Sequence, residues 1–210
     1  MLDPLMRKLI DPPVRRLAER VASAGATANG LTWTGFGFGL AAMPFLAVEQ
    51  YAAALFCLAA NRLLDGVDGA VARIRGSSDL GGFLDITLDF IVYAGAPFGM
   101  ALAQPDEHAL AAAFLIFSFM GTGSSFLAYA IIAAKRGVAT TTPRGRKSIY
   151  YSAGLMEGTE TFATLILVCV LPSFFVEIAL IAGGLCWITT AARIRLAYRD
   201  FAPRPQSERP

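Results

Sequence analysis

Four aspartates, Asp65, Asp68, Asp85 and Asp89, stand in two pairs within otherwise apolar sequence. The members of the pairs are three and four residues apart, and on a helix either spacing puts both side chains on one face. With no His or Cys nearby, they form a set of hard oxygen donors suited to Mg2+, Mn2+ or Ca2+ rather than zinc. Mg2+ commonly bridges protein carboxylates to substrate phosphates. Arg73 and Arg75 close the first segment, where they can meet phosphate oxygens. Gly69 and Ala72 share the face of Asp65 and Asp68 and leave room for a ligand to reach the backbone. The chemistry available to these residues together is the binding of a metal–diphosphate group.

The elements that must position them are membrane helices. The chain has 210 residues, 55% hydrophobic and only 16% charged, against about 25% charged in a soluble domain. That apolar excess excludes an ordinary soluble domain, and disorder as well, because disordered chains are polar and charge-rich. A membrane span needs about 20 apolar residues. Six candidates are present, at 29–48, 51–74, 83–103, 107–134, 149–171 and 174–196, and short loops make neighbours antiparallel. The predicted fold is an all-α membrane protein of six transmembrane helices, preceded by an amphipathic interfacial helix over 1–24. There Ile10, Val14, Leu17 and Val21 recur at helical spacing among Arg7, Lys8, Arg15, Arg16 and Arg20, as in a helix lying on an anionic membrane face. Residues 25–200 form one domain and 201–210 a polar tail.

Every Lys and Arg except Arg62 falls in the N-terminal segment, the 73–82 loop, the 135–148 loop or the tail after 192. The opposite loops carry Glu49, Asp106, Glu107 and Glu177 instead. Basic residues gather on the cytoplasmic side, so both termini and the site are expected to be cytoplasmic. The net charge of +2 gives no reason to expect nucleic acid. Within or near the bilayer, Asp65, Asp68, Asp85, Asp89, Glu157 and Glu160 face a single Arg62, and each charge there costs ~2.5–3.5 kcal/mol. A cation must balance them, or several must stay protonated.

Written out, the segment reads D-x2-D-G-x2-A-R-x7-G-x3-D-x3-D, from Asp65 through Asp68, Gly69, Ala72, Arg73, Gly81 and Asp85 to Asp89. It resembles the signature of the CDP-alcohol phosphatidyltransferase family, whose usual Arg-to-Gly spacing is one residue longer. Ala28-Asn29-Gly30-Leu31-Thr32 is similar to the family's Pro-Asn-x-(Leu/Ile)-Thr element. Asn61-Arg62-Leu63-Leu64-Asp65 and Gly158-Thr159-Glu160-Thr161 resemble an uncharacterised bacterial branch. The resemblance implies transfer of a substituted phosphate from CDP-diacylglycerol to an alcohol, with release of CMP, in phospholipid biosynthesis. It implies Mg2+ or Mn2+, commonly two ions, held by Asp65, Asp68 and Asp85 with help from Asp89, which is also the expected general base. Asn29, Thr32, Gly69, Ala72, Arg73 and Gly81 would line the nucleotide and phosphate region. A homodimer in the bacterial inner membrane is expected, with a small polar alcohol as acceptor.

For the acceptor, Lys147 lies in a basic loop, and Glu157 and Glu160 share one face of the fifth span. Arg62 could neutralise an aspartate or hold substrate. Gly35 and Gly39 form a GxxxG expected to pack helices closely. Gly121-Thr122-Gly123 is read as packing, His108 as an outer-loop residue, and Cys57, Cys169 and Cys186 as buried hydrophobes. Two other functions use the same carboxylates. A prenyltransferase-like enzyme would hold Mg2+-diphosphate with aspartates but carry DDxxD-like motifs and more helices. A small cation transporter would need a charged path through the outer helix halves, which are apolar here.

Overall fold

The structure, a computed structural model, describes residues 3–137 and 154–202. Among them every regular element is helical: α1 (Asp3–Ser23), α2 (Ala28–Ala47), α3 (Tyr51–Arg75), α4 (Asp79–Ala103), α5 (Pro105–Lys135), α6 (Gly158–Val170) and α7 (Phe175–Phe201), with a 3-10 turn at Pro172–Phe174 before α7. Thr27 caps α2, its Oγ1 accepting from the Gly30 N–H at 3.1 Å. Ser78 caps α4 in the same way, accepting from the Gly81 N–H at 3.0 Å. Both satisfy donors that a helix start leaves without intrahelical partners. Gly76, at φ +102°, ends α3 in a conformation that glycine adopts without steric cost. Gly76, Ser77 and Ser78 alone therefore reverse the chain from α3 into α4.

Helix α2 packs on α3 and α4, α4 on α5, and α5 on α7, while α6 contacts α3 and α7 and α1 lies along α3. Leu46, Leu58, Met100, Leu115, Leu165 and Phe175 fill the main core. The glycine pair of α2 meets α3 and α4: a Cβ at Gly35 would lie 3.2 Å from Leu64 Cβ, and one at Gly39 2.6 Å from Val92 Cγ2. Gly123 is covered by the Phe90 ring, and Gly121 faces Trp187 and Thr190; both serve packing, as expected. All three cysteines are buried and unpaired.

Six helices follow α1, and four of the stretches they form are long and apolar enough to cross a membrane: Ala28–Ala47, Asp79–Ala103, Pro105–Lys135 and Pro172–Phe201. The other two expected spans differ for separate reasons. Helix α3 carries Arg62, Asp65, Asp68, Arg73 and Arg75, which lower its hydropathy. Helix α6 has only 13 residues, about 20 Å at 1.5 Å per residue, because Glu157 and Glu160 form a capping box that starts it at Gly158. The expected start near residue 149 lies outside the described residues. In α1, Val14, Ala18 and Ala22 are buried against Val67, Ala70 and Val71 of α3, and Arg75 donates to the Ala22 carbonyl. Of the expected apolar stripe, Val14 faces α3, whereas Leu17 is exposed and Val21 half-buried. His108 is not in a loop. Pro105 starts α5 early, which buries His108 with Nδ1 3.2 Å from the Met100 carbonyl and its ring 4.8 Å from that of Phe175.

Close helix approach gives a stability prediction. A Cβ at Gly99 would sit 2.7 Å from the Met43 carbonyl oxygen, whereas one at Gly95 would meet nothing within 4 Å. Gly99→Ala is expected to destabilise the protein by about 1–3 kcal/mol, as overpacking does, and Gly95→Ala to stay within about 0.5 kcal/mol. Thermal unfolding in detergent checks this, and equal Tm values for the two variants would refute it.

Candidate functional site

The turn at Gly76–Ser78 sets α3 and α4 side by side and brings their aspartates together. One carboxylate oxygen from each of Asp65, Asp68 and Asp85 lies within 4.8 Å of the others. Asp68 is buried, Asp65 half-buried and Asp85 exposed to the cleft. Asp89, one turn further along α4, lines the same cleft outside that trio. Asp68, Asp65 and Asp89 each have a neighbouring side chain in hydrogen-bonding contact. Thr32 Oγ1 donates to Asp68 Oδ2 at 2.6 Å, Arg62 Nη1 pairs with Asp65 Oδ2 at 2.5 Å, and Tyr93 Oη donates to Asp89 Oδ2 at 3.0 Å. Buried Asn61, one turn before Asp65, donates to the Gly35 carbonyl at 3.1 Å, which fixes α3 against α2 at this level.

The cleft has a volume of about 1070 Å³. Thr27, Asn29 and Thr32 of the α2 start, the α3 face from Arg62 to Arg75, and Ser78, Gly81 and Asp85 of the α4 start line it. So Asn29, Thr32, Gly69, Ala72, Arg73 and Gly81, grouped from sequence, share one cavity with the four aspartates. Gly81 has a steric reason: a Cβ there would lie 3.2 Å from both Asn29 Oδ1 and Ser78 Oγ. The far wall is α6, through Thr159, Phe162, Ala163 and Ile166. Thr159 falls in the Gly158-Thr159-Glu160-Thr161 segment singled out from sequence, whereas Phe162 carries no sequence signal of its own. Tyr93 could have been found, because it stands four residues after Asp89 and i,i+4 side chains meet on a helix.

Thr32, which lines the cleft, donates its hydroxyl to Asp68. One sequence expectation changes. Glu157 and Glu160 are not a buried pair inside a helix: both are half-buried at the α6 start, with the Glu160 carboxylate accepting from the Glu157 N–H at 3.3 Å. Neither is among the residues lining the cleft. Lys147 lies outside the described residues.

The three converging carboxylates suit a hard divalent cation. Two oxygens on one octahedral Mg2+ lie about 3–4 Å apart, given ligand distances of about 2.1 Å. The trio, with its oxygens within 4.8 Å of one another, lies near that spacing, and the donors are oxygen only. Arg73 and Arg75 then supply fixed positive charge on the same cavity wall, suited to phosphate oxygens.

The chain matches the family model described as CDP-alcohol phosphatidyltransferase over residues 26–194. It is 48% identical over 198 residues to inner membrane protein YnjF of Escherichia coli (strain K12), covering 94% of this chain and 96% of that one. It is 39% identical over 98 residues to archaetidylinositol phosphate synthase of Pyrococcus horikoshii, covering 46% of this chain and 52% of that protein. In fold it resembles the crystal structure of Mycobacterium tuberculosis phosphatidylinositol phosphate synthase with CDP-DAG bound. There the TM-score is 0.64 at 18% identity, covering 91% of this chain and 98% of that one.

The geometry predicts stabilisation by cations. Mn2+ or Mg2+ at 100 times its Kd should stabilise the purified protein by about 2.7 kcal/mol, read as a rise in Tm. Asp68→Asn should lose most of that rise while being no less stable without cation, because a like charge has been removed. An unchanged rise in Asp68→Asn would contradict the assignment.

Proposed function

This chain belongs to the CDP-alcohol phosphatidyltransferase family, and we propose that it transfers the phosphatidyl group of CDP-diacylglycerol to a small polar alcohol, releasing CMP. The observation that carries this reading is the convergence of Asp65, Asp68 and Asp85 in a cleft that also holds Asp89 and Arg73.

A divalent cation, Mg2+ or Mn2+ and two ions in the full reading, held by Asp65, Asp68 and Asp85 with help from Asp89, supplies positive charge against the donor diphosphate. Arg73, Asn29, Gly69, Ala72 and Gly81 bind the nucleotide end of the donor, with room for phosphate where these small residues leave backbone accessible. Thr32 holds Asp68 in one orientation through its 2.6 Å hydrogen bond. Asp89 takes the proton of the acceptor hydroxyl as that oxygen bonds to the lipid-bearing phosphorus. The bond from that phosphorus to the bridging oxygen breaks, and its electron pair leaves with CMP. Asp89 does this through placement as the O–H bond breaks, and the 3.0 Å contact from Tyr93 supplies that placement. Phosphoryl transfer relies mainly on such positioning and charge neutralisation.

Glu157 and Glu160 enter the reading as the cap that fixes Thr159 and Phe162 on the cleft wall, with Lys147 on the acceptor side. The named relatives put inositol phosphate first among acceptors to try, then glycerol 3-phosphate and amino alcohols. The reading keeps six crossings formed by α2–α7, with the charged face of α3 turned to the cleft and α1 along the surface. It includes a homodimer, and a place in the bacterial inner membrane that the E. coli relative's name supports. Both termini and the mouth of the cleft are cytoplasmic, following the basic segments.

Purified protein with CDP-diacylglycerol, Mn2+ and an acceptor panel is expected to release CMP only when the right acceptor is present. Asp89→Asn should retain cation binding and lose turnover by about 100-fold to 10,000-fold, the range for a general base. Absence of acceptor-dependent CMP release from folded protein across the panel would contradict the function, and normal turnover by Asp89→Asn would remove its role as base.

A further inference from the structure

Every other Lys and Arg lies in one of four basic segments, at the N-terminus, at 73–82, at 135–148 and after 192, whereas Arg62 lies in mid-α3, one turn before Asp65. Its Nη1 meets Asp65 Oδ2 at 2.5 Å, and the two side chains are 40% and 21% exposed. Its Cζ lies 5.6 Å from the centre of the Phe162 ring on α6, within cation–π range. Arg62, Asp65 and Phe162 all line the cleft. The guanidinium is thus held between a carboxylate of the acidic trio and the opposite wall.

We propose that Arg62 is the built-in counter-ion of the site, holding Asp65 when no cation is bound and competing with the divalent cation for that carboxylate. The inference rests on the cation reading of the trio. Without cation, Arg62 offsets the repulsion among Asp65, Asp68 and Asp85. A cation that enters must share or take over Asp65, and it meets a fixed positive charge close by. Asp65 has a second oxygen, so the competition is graded, and Arg62 lowers cation affinity without abolishing it. Arg62 is here a positioning residue that sets how tightly the cation is held.

The test needs no turnover. Cation-free protein is titrated with Mn2+ while the free ion is followed by electron paramagnetic resonance, and Tm is measured without cation. Arg62→Gln should bind Mn2+ about 1.5-fold to fivefold more tightly than wild type, the scale of a partly exposed ion pair, and should have a lower Tm without cation. Arg62→Lys, which keeps the charge, should fall between the two, and it serves if Arg62→Gln fails to fold. In an Asp65→Asn background, Arg62→Gln should cause little further loss of Tm, as coupled neighbours do. Unchanged or weaker Mn2+ affinity in Arg62→Gln, or the same Tm loss in the Asp65→Asn background, overturns the proposal and leaves the cation site standing. Failure of wild type to bind Mn2+ overturns both.

Discussion

Three carboxylates within 4.8 Å of one another impose the constraint to which the rest of this protein answers. Two unit charges 4 Å apart repel by about 4 kcal/mol at an effective dielectric of 20, and the total stability of a domain is about 5–15 kcal/mol. An acidic trio in a membrane helix pair therefore has to be compensated locally. Part of that compensation is built in, as the Thr32 hydrogen bond to Asp68 and the Arg62 ion pair with Asp65. The remainder is what the proposed divalent cation would supply, and in that reading the features that cost folding stability would become the source of binding.

Holding the trio together falls to the backbone around it. Gly76 ends α3, and Ser78 begins α4 two residues later, so the two acidic faces meet with almost no intervening loop. Asn61 and the glycine pair of α2 hold α3 and α4 close to a third helix, and this brings Thr32 and Asn29 to the carboxylates. Helix α1 closes one side through Val14, Ala18 and Ala22, and α6 closes the other through Phe162. Leu58, Met100, Leu115 and Phe175 of the main core do not line the cleft, and Phe162 and Ile166 stand between the two. The polar site can therefore carry its charges without opening the apolar interior to water.

Much of this was legible in the sequence because it is local. Helical spacing placed Asp65 with Asp68 and Asp85 with Asp89, and a loop of three residues made the pairs neighbours. Hydropathy located the helices, most of them to within a few residues. What escaped depends on partners far apart in sequence or on end effects. Glu157 and Glu160 look like buried acids at helical spacing, and the same spacing is that of a capping box, so only the start of α6 distinguishes the two. The stripe of α1 is amphipathic whether it faces lipid or α3, and small Ala18 and Ala22, which suit close helix contact, weigh little on a hydropathy scale. The Thr32 to Asp68 contact joins residues 36 apart, and the Phe162 wall forms only when α6 packs on α3. Neither has a local signal.

The central claim is that the acidic trio is a cation site, and diffraction from crystals grown with Mn2+ tests it most directly. The account predicts an anomalous difference peak within about 2.5 Å of oxygens from Asp65, Asp68 and Asp85, absent from crystals of Asp68→Asn. Folded protein at millimolar Mn2+ with no peak at the trio, or with its carboxylates neutralised by arginine side chains alone, would contradict it.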